Sequence, residues 1–176
     1  MRALGSGRHQ APRPRAAGFT LIEVLVVIVI VGVLALAVTL AVGGSAERRL
    51  RGEAERFAAL VAHACTQAEL SGRDIGIAVL AGGYGFSRFD SEGWQPLPDE
   101  GELRRRVWPE GLTAELGRDG RPLARSAAGD RPQLVCFASG ELTPFDLVLR
   151  LGDAGEAQRV RGESDGTVAV EPVATR

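Results

Sequence analysis

The sequence predicts an α+β chain: a long amino-terminal helix packed on an antiparallel β-sheet head. Three observations carry that prediction. Phe19 to Val42 is an apolar run broken only by Glu23 and two threonines. Leu50, Ala54, Phe57, Val61, Ala64 and Ala68 then recur at alternating steps of four and three residues, one apolar stripe at helical period. After Gly72 the texture changes to short apolar runs parted by turn residues, the mark of strands.

The chain has 176 residues, enough for one ordinary domain and an appendage. Met1 to Gly18 holds Arg2, Arg8, Arg13 and Arg15 and no acid. From Ser45 onward 17 arginines face 21 acids, and the chain has no lysine. A mildly acidic body argues against a broad nucleic-acid surface, because phosphate binding needs clustered positive charge.

As a helix the apolar run would extend roughly 36 Å at about 1.5 Å per residue, enough for a hydrocarbon core of about 30 Å. The basic residues ahead of it favour a cytoplasmic leader and an exported remainder. A cleaved secretory signal would use a shorter apolar core, although "AVGGSA" (Ala41 to Ala46) has the small residues of a cleavage site. A plain membrane anchor accounts for the length but leaves Glu23 unexplained. A charge inside a membrane span calls for a partner.

The stretch "GFTLIEV", Gly18 to Val24, resembles the processing site of type IV pilins and pseudopilins. The likeness lies in a basic leader, Gly18-Phe19, a glutamate five places after the glycine and a long apolar run; Gly32 also falls where that family often has glycine. The resemblance implies a pilin-like fold and cleavage between Gly18 and Phe19 by prepilin peptidase. It also implies N-methylation of Phe19 and retention of the helix for a filament core. Glu23 would then pair with the Phe19 amine of a neighbouring subunit and set its axial register. On one helix the two lie about 6 Å of rise apart. A misregistered subunit would leave two unpaired charges in apolar surroundings. The chain departs from major pilins in lacking a proline near Leu40; Gly43-Gly44 could supply flexibility instead, and no position is predicted for a bend in the helix.

Glu47 to Leu70 forms the amphipathic continuation, with Glu47, Arg51, Glu55, Arg56 and Glu69 largely off the stripe and Ser71-Gly72 as its stop. His63 lies beside the stripe with no partner near in sequence and is expected at the surface or its boundary. Cys65, four places after Val61, can face the core, and Cys136 lies in a strand-like run. Two buried thiols are the expected state of Cys65 and Cys136. A disulfide is the alternative that an oxidising periplasm would allow.

In the head, Asp74–Leu80, Gly85–Phe89, Gly111–Leu116, Pro132–Phe137 and Pro144–Leu151 read as strands, and "QRVRG" and "TVAVE" as a last hairpin around "ESDG". One sheet of these strands would cover the helix stripe. Three blocks resemble the H-type minor pseudopilins of type II secretion, the GspH family: Trp94-Gln95-Pro96-Leu97, the Trp108-Pro109-Glu110-Gly111 turn, and the Ser139-Gly140-Glu141 hairpin with Thr143-Pro144-Phe145. That resemblance implies a minor structural subunit of the type II secretion pseudopilus, in a fibre that helps export folded proteins across the outer membrane. The implied partners are prepilin peptidase, the major pseudopilin, other minor pseudopilins and the inner-membrane secretion platform. The implied location is the inner membrane, single-pass, with a cytoplasmic amino terminus and a periplasmic head.

The expected organisation is a removable basic leader (1–18), a transmembrane or filament-core helix (19–44), an amphipathic helix (45–72) and a periplasmic β-rich head (73–176). No catalytic set stands out. His63 is the only histidine after the leader, "GGYG" lacks the Lys-Ser/Thr of a phosphate loop, and Asp99-Glu100 sits in a polar loop. Arg104 to Arg106 belongs to a mixed-charge loop and is expected at the solvated surface. No cofactor, metal or nucleic acid is expected. The rival reading is a minor type IV pilin acting in pilus initiation or DNA uptake. It would need a basic patch, with Arg159 and Arg161 as candidates flanked by Glu156 and Glu163.

Overall fold

A computed structural model of the chain describes residues 20–124, 131–152 and 156–174; the side chains of residues 37–43, 156 and 174 lie outside that description. The chain divides into two compact units, Met1–Ala41 and Val42–Arg176. One helix, α1 (Leu21–Ser71), contributes to both and runs through Gly43 and Gly44.

Within the second unit, α1 ends where the sequence places a stop. Gly72 has φ of 63°, the Gly72 N–H bonds the Glu69 carbonyl at 3.4 Å, and the Arg73 N–H bonds the Ala68 carbonyl at 3.2 Å. These two bonds make a Schellman cap, which satisfies carbonyls that the helix end leaves open.

Ten strands follow among the described residues: β1 (Ile75–Leu80), β2 (Gly83–Asp90), β3 (Gly93–Pro96), β4 (Arg106–Val107), β5 (Leu112–Arg118), β6 (Arg121–Pro122), β7 (Leu134–Cys136), β8 (Phe145–Leu151), β9 (Glu156–Gly162) and β10 (Val168–Ala174). They form two antiparallel sheets, not the single sheet expected. Sheet A has the order β3-β2-β1-β7 with β4 also paired to β2, and sheet B has the order β10-β9-β8-β5-β6. The chain passes from A to B after β4, returns to A at β7, and passes to B again through a tight reversal after β7. There Cys136 bridges Leu142, Phe137 N–H bonds the Glu141 carbonyl at 2.8 Å and Thr143 N–H bonds the Val135 carbonyl at 2.9 Å. So "ASGELT" does turn the chain back, but β7 then pairs with β1 whereas β8 pairs with β5 and β9.

The other turns follow local chemistry. Leu112 N–H bonds the Pro109 carbonyl across Gly111, whose φ of 78° a side chain would resist. In the β9–β10 turn, the Asp165 carboxylate accepts the Thr167 N–H at 2.9 Å and the Thr167 hydroxyl at 2.6 Å. Those bonds, the hydroxyl first, hold the Asp165 carboxyl below its ordinary pKa.

Between the sheets and α1 lies one apolar core. All six stripe residues, Leu50 to Ala68, are fully buried. Phe57 joins the layers: its ring meets Tyr84 of β2 at a centroid distance of 5.0 Å and Phe145 of β8 at 6.1 Å, both edge to face. Burying one such large side chain contributes about 1.5–3 kcal/mol, so the stripe is a major part of what holds the sheets to the helix.

Candidate assembly site

In the first unit, Thr20 caps α1. Its carbonyl accepts the Val24 N–H at 3.2 Å and its hydroxyl accepts the Glu23 N–H at 3.3 Å. Glu23 is therefore the third helical residue, in the first turn, where the positive end of the helix dipole favours a carboxylate. The sequence reading overlooks this cap, although the Thr-x-x-Glu spacing announces it. Gly18 and Phe19, the expected cleavage pair and methylation site, lie outside the described residues. So does the Phe19 amine expected to pair with Glu23.

From Leu21 to Leu36 the large apolar side chains are exposed around the whole helix, Leu21 at 84%. Leu21, Val24, Leu25, Ile28 and Val29 line one continuous apolar face. A helix that is apolar all round is at home in lipid or among other apolar helices, not in water. Among the described residues no helix is long and apolar enough to cross a membrane. The expected segment 19–44 includes residue 19 and the side chains of 37–43, which lie outside them.

In the second unit, the two cysteines are joined. Cys65 on α1 and Cys136 on β7 form a disulfide, with Cα atoms 4.8 Å apart and the two residues 71 positions apart in sequence. This corrects the expectation of two buried thiols. Both sites face one core, as expected, but their closeness depends on how β7 docks on the helix, which spacing along the chain does not reveal.

His63 is half-buried at the edge of the stripe, and its Nε2 lies 3.0 Å from Glu102 Oε2. The partner comes from the loop before β4, so it could not be read from neighbours in sequence. That loop also holds the arginine run in place: Arg104 Nη1 donates to the Gly101 carbonyl at 3.0 Å and Arg106 Nη2 to the Glu102 carbonyl at 3.3 Å. Arg104 and Arg105 are exposed, as expected, whereas the Arg106 backbone pairs with Tyr84.

Arg159 and Arg161, the candidate basic patch, converge on Asp146 of β8, at 3.9 and 3.1 Å. Bonding to Asp146 raises the Arg161 pKa above its ordinary value. Beside them Arg150 pairs with Glu115 at 2.9 Å. This face of sheet B is thus a ladder of opposed charges. Among the described residues no group of three or more His, Cys, Asp or Glu side chains is placed to hold a metal ion.

Comparison with known proteins matches both halves of this arrangement. Residues 13–39 match the prokaryotic N-terminal methylation motif, and residues 53–166 match the type II transport protein GspH family. Type II secretion system protein H of Pseudomonas aeruginosa is 38% identical over 162 residues, covering 85% of this chain and 91% of that protein. The protein of the same description from Escherichia coli K12 is 31% identical, covering 79% of this chain and 83% of its own. Among solved structures, the minor pseudopilin EpsH from the type II secretion system of Vibrio cholerae superposes with a TM-score of 0.62 at 24% identity. That match covers 75% of this chain and all of that one. The solution structure of Escherichia coli GspH gives a TM-score of 0.56 at 24% identity, over 72% of this chain and 89% of that one. These two show the shared fold. With most of its head matched to the family and a 38% identical relative spanned almost end to end, the chain belongs to the GspH family of type II secretion pseudopilins.

Proposed function

We propose that this chain is a minor structural subunit of the type II secretion pseudopilus. The observation that carries this reading is the 38% identity to a type II secretion protein H across most of both chains. The first unit supplies the physical logic, since an all-round apolar helix needs apolar neighbours. In this reading residues 1–18 are a leader that prepilin peptidase removes between Gly18 and Phe19, and Phe19 is then N-methylated. Residues 19–44 anchor the subunit in the inner membrane and later join the filament core. Residues 45–72 and 73–176 form the periplasmic head. Glu23 pairs with the Phe19 amine of a neighbour, so that only a subunit in correct register avoids unpaired charges. The major pseudopilin, other minor pseudopilins and the inner-membrane platform are the partners. A structural role accounts for the buried stripe, the two sheets and the apolar helix without any catalytic group.

The type IV pilus reading loses its candidate DNA contact, because Arg159 and Arg161 are engaged by Asp146. Deleting the gene tests the choice. Loss of exoprotein release with intact pili and transformation is expected, and lost transformation with normal secretion would overturn the proposal. Replacing Gly18 by a bulky residue should leave the precursor uncut on a gel, because the peptidase site would have to accept a side chain there. Unchanged maturation would refute the cleavage assignment.

A further inference from the structure

We infer, on the reading that the head is exported, that the chain is a substrate of a dithiol–disulfide exchange catalyst in the receiving compartment. This oxidation begins before sheet A closes over α1. Cys136 is fully buried and Cys65 is 4% exposed. Cys65 lies on the inner face of α1 between Val61 and Ala68. Cys136 ends β7, opposite Ile75 of β1, and is bridged to Leu142. Val61, Ala68, Ile75 and Leu142 all belong to the same closed apolar core. Thiol–disulfide exchange needs a sulfur of the chain to touch a sulfur of the donor. A folded catalyst cannot place its own cysteine inside that core, so it must meet the chain while the head is open.

The reaction balances with a protein disulfide as the two-electron oxidant. One chain thiolate attacks a donor sulfur, forming a mixed disulfide and releasing the donor's other sulfur as a thiolate. The second chain thiolate then attacks the chain sulfur of the mixed disulfide. The Cys65–Cys136 bond forms, and the donor leaves with both of its sulfurs reduced. The two chain thiols have lost two protons and two electrons in all. The second attack needs α1 and β7 within disulfide reach, and the closed head holds their Cα atoms 4.8 Å apart, inside the usual range. Docking of sheet A on the helix is thus what expels the catalyst. Two cysteines are the whole complement of the chain, so no competing internal pairing exists.

The test uses the full chain in cells with and without their exported dithiol oxidase. Free thiols are counted after acid quench by a polyethylene-glycol maleimide in denaturant, and protease added to spheroplasts reports whether the head is outside. In normal cells an accessible head should carry no tag, and without the oxidase it should carry two. In a pulse–chase, loss of tags should precede or accompany the gain of protease resistance by the folded head. A Cys136→Ala variant should accumulate a reductant-sensitive mixed disulfide through Cys65, because no second thiol is present to resolve it. Two tags on an accessible head in normal cells would overturn the inference while leaving the export reading intact. So would equal loss of tags without the oxidase, or a protease-resistant head that still carries two tags. A head never reached by protease would overturn the export reading itself.

Discussion

Phe57 of α1 and Tyr84 of β2 meet edge to face, their ring centroids 5.0 Å apart and their planes at 88°. The contact puts the Tyr84 hydroxyl deep in the core, fully buried and without a hydrogen-bond partner among the described residues. Burial pushes its pKa up to about 12, with the charge of Glu53 adding to the rise and Arg106 and Arg56 opposing it. Tyr84 is the only tyrosine in the chain, so phenolate absorbance reads this site alone. The native protein should titrate near pH 12 and the denatured chain near pH 10. Between those values the folded state holds a proton that the unfolded state has lost, so stability should fall as pH rises through that window. Tyr84→Phe should remove that part of the alkaline loss and cost little at neutral pH, since it deletes an unpartnered hydroxyl. A native midpoint near 10 would refute the buried assignment.

Gly83 sits where β2 meets β4, and a Cβ there would collide with the Arg106 carbonyl oxygen. Backbone cannot yield as a flexible side chain can. Gly83→Ala is expected to destabilise the head by about 1–3 kcal/mol through forced separation of the strands. The neighbouring Gly82 has nothing within 4 Å of such a Cβ. Gly82→Ala should therefore unfold close to wild type. Urea titration in detergent, followed by tryptophan fluorescence, separates the two.

The Cys65–Cys136 bond closes a loop of 71 residues. Chain-entropy arguments give about 4 kcal/mol for a loop of that length, acting mainly on the unfolded state. A Cys65→Ala/Cys136→Ala variant should lose an amount of that order in urea unfolding, with its fold kept at low temperature. Wild type unfolded in reductant should fall to a similar midpoint. If reductant leaves the midpoint unchanged, the cross-link is not contributing.

Glu23→Ala should mature to the same size as wild type, because the cleavage site is untouched, yet enter fibres poorly. Chemical cross-linking of membranes, compared at equal subunit levels, measures the difference. Wild-type incorporation would remove the register role from Glu23.

Much of this architecture was legible from periodicity and turn chemistry. The stripe from Leu50 to Ala68 is fully buried, and β1, β7, β8 and the β9–β10 hairpin fall where alternation and turn residues put them. Partition into two sheets was not legible. Alternation tells which residues make a strand, whereas neighbours are chosen by packing between distant segments, as when β7 pairs with β1 instead of the next strand. Short edge strands such as β4 and β6 carry only two residues each, too few for any period to register. The same limit explains the site residues. "GFTLIEV" is read locally, and the Thr20 cap could have been. The partners of His63, Arg159 and Cys65 come from elements far along the chain.

The crossing from β7 to β8 gives the head a particular mechanical character. β7 hands the chain from sheet A to sheet B, and at that point a covalent bond ties it to α1. Tension applied along α1 within the head can thus enter both sheets through sulfur at their junction. It does not have to be borne first by the hydrogen-bonded ladder between β1 and β7. A load that would peel a non-covalently attached sheet from its helix, strand by strand, is instead shared by the two sheets from a single anchor point.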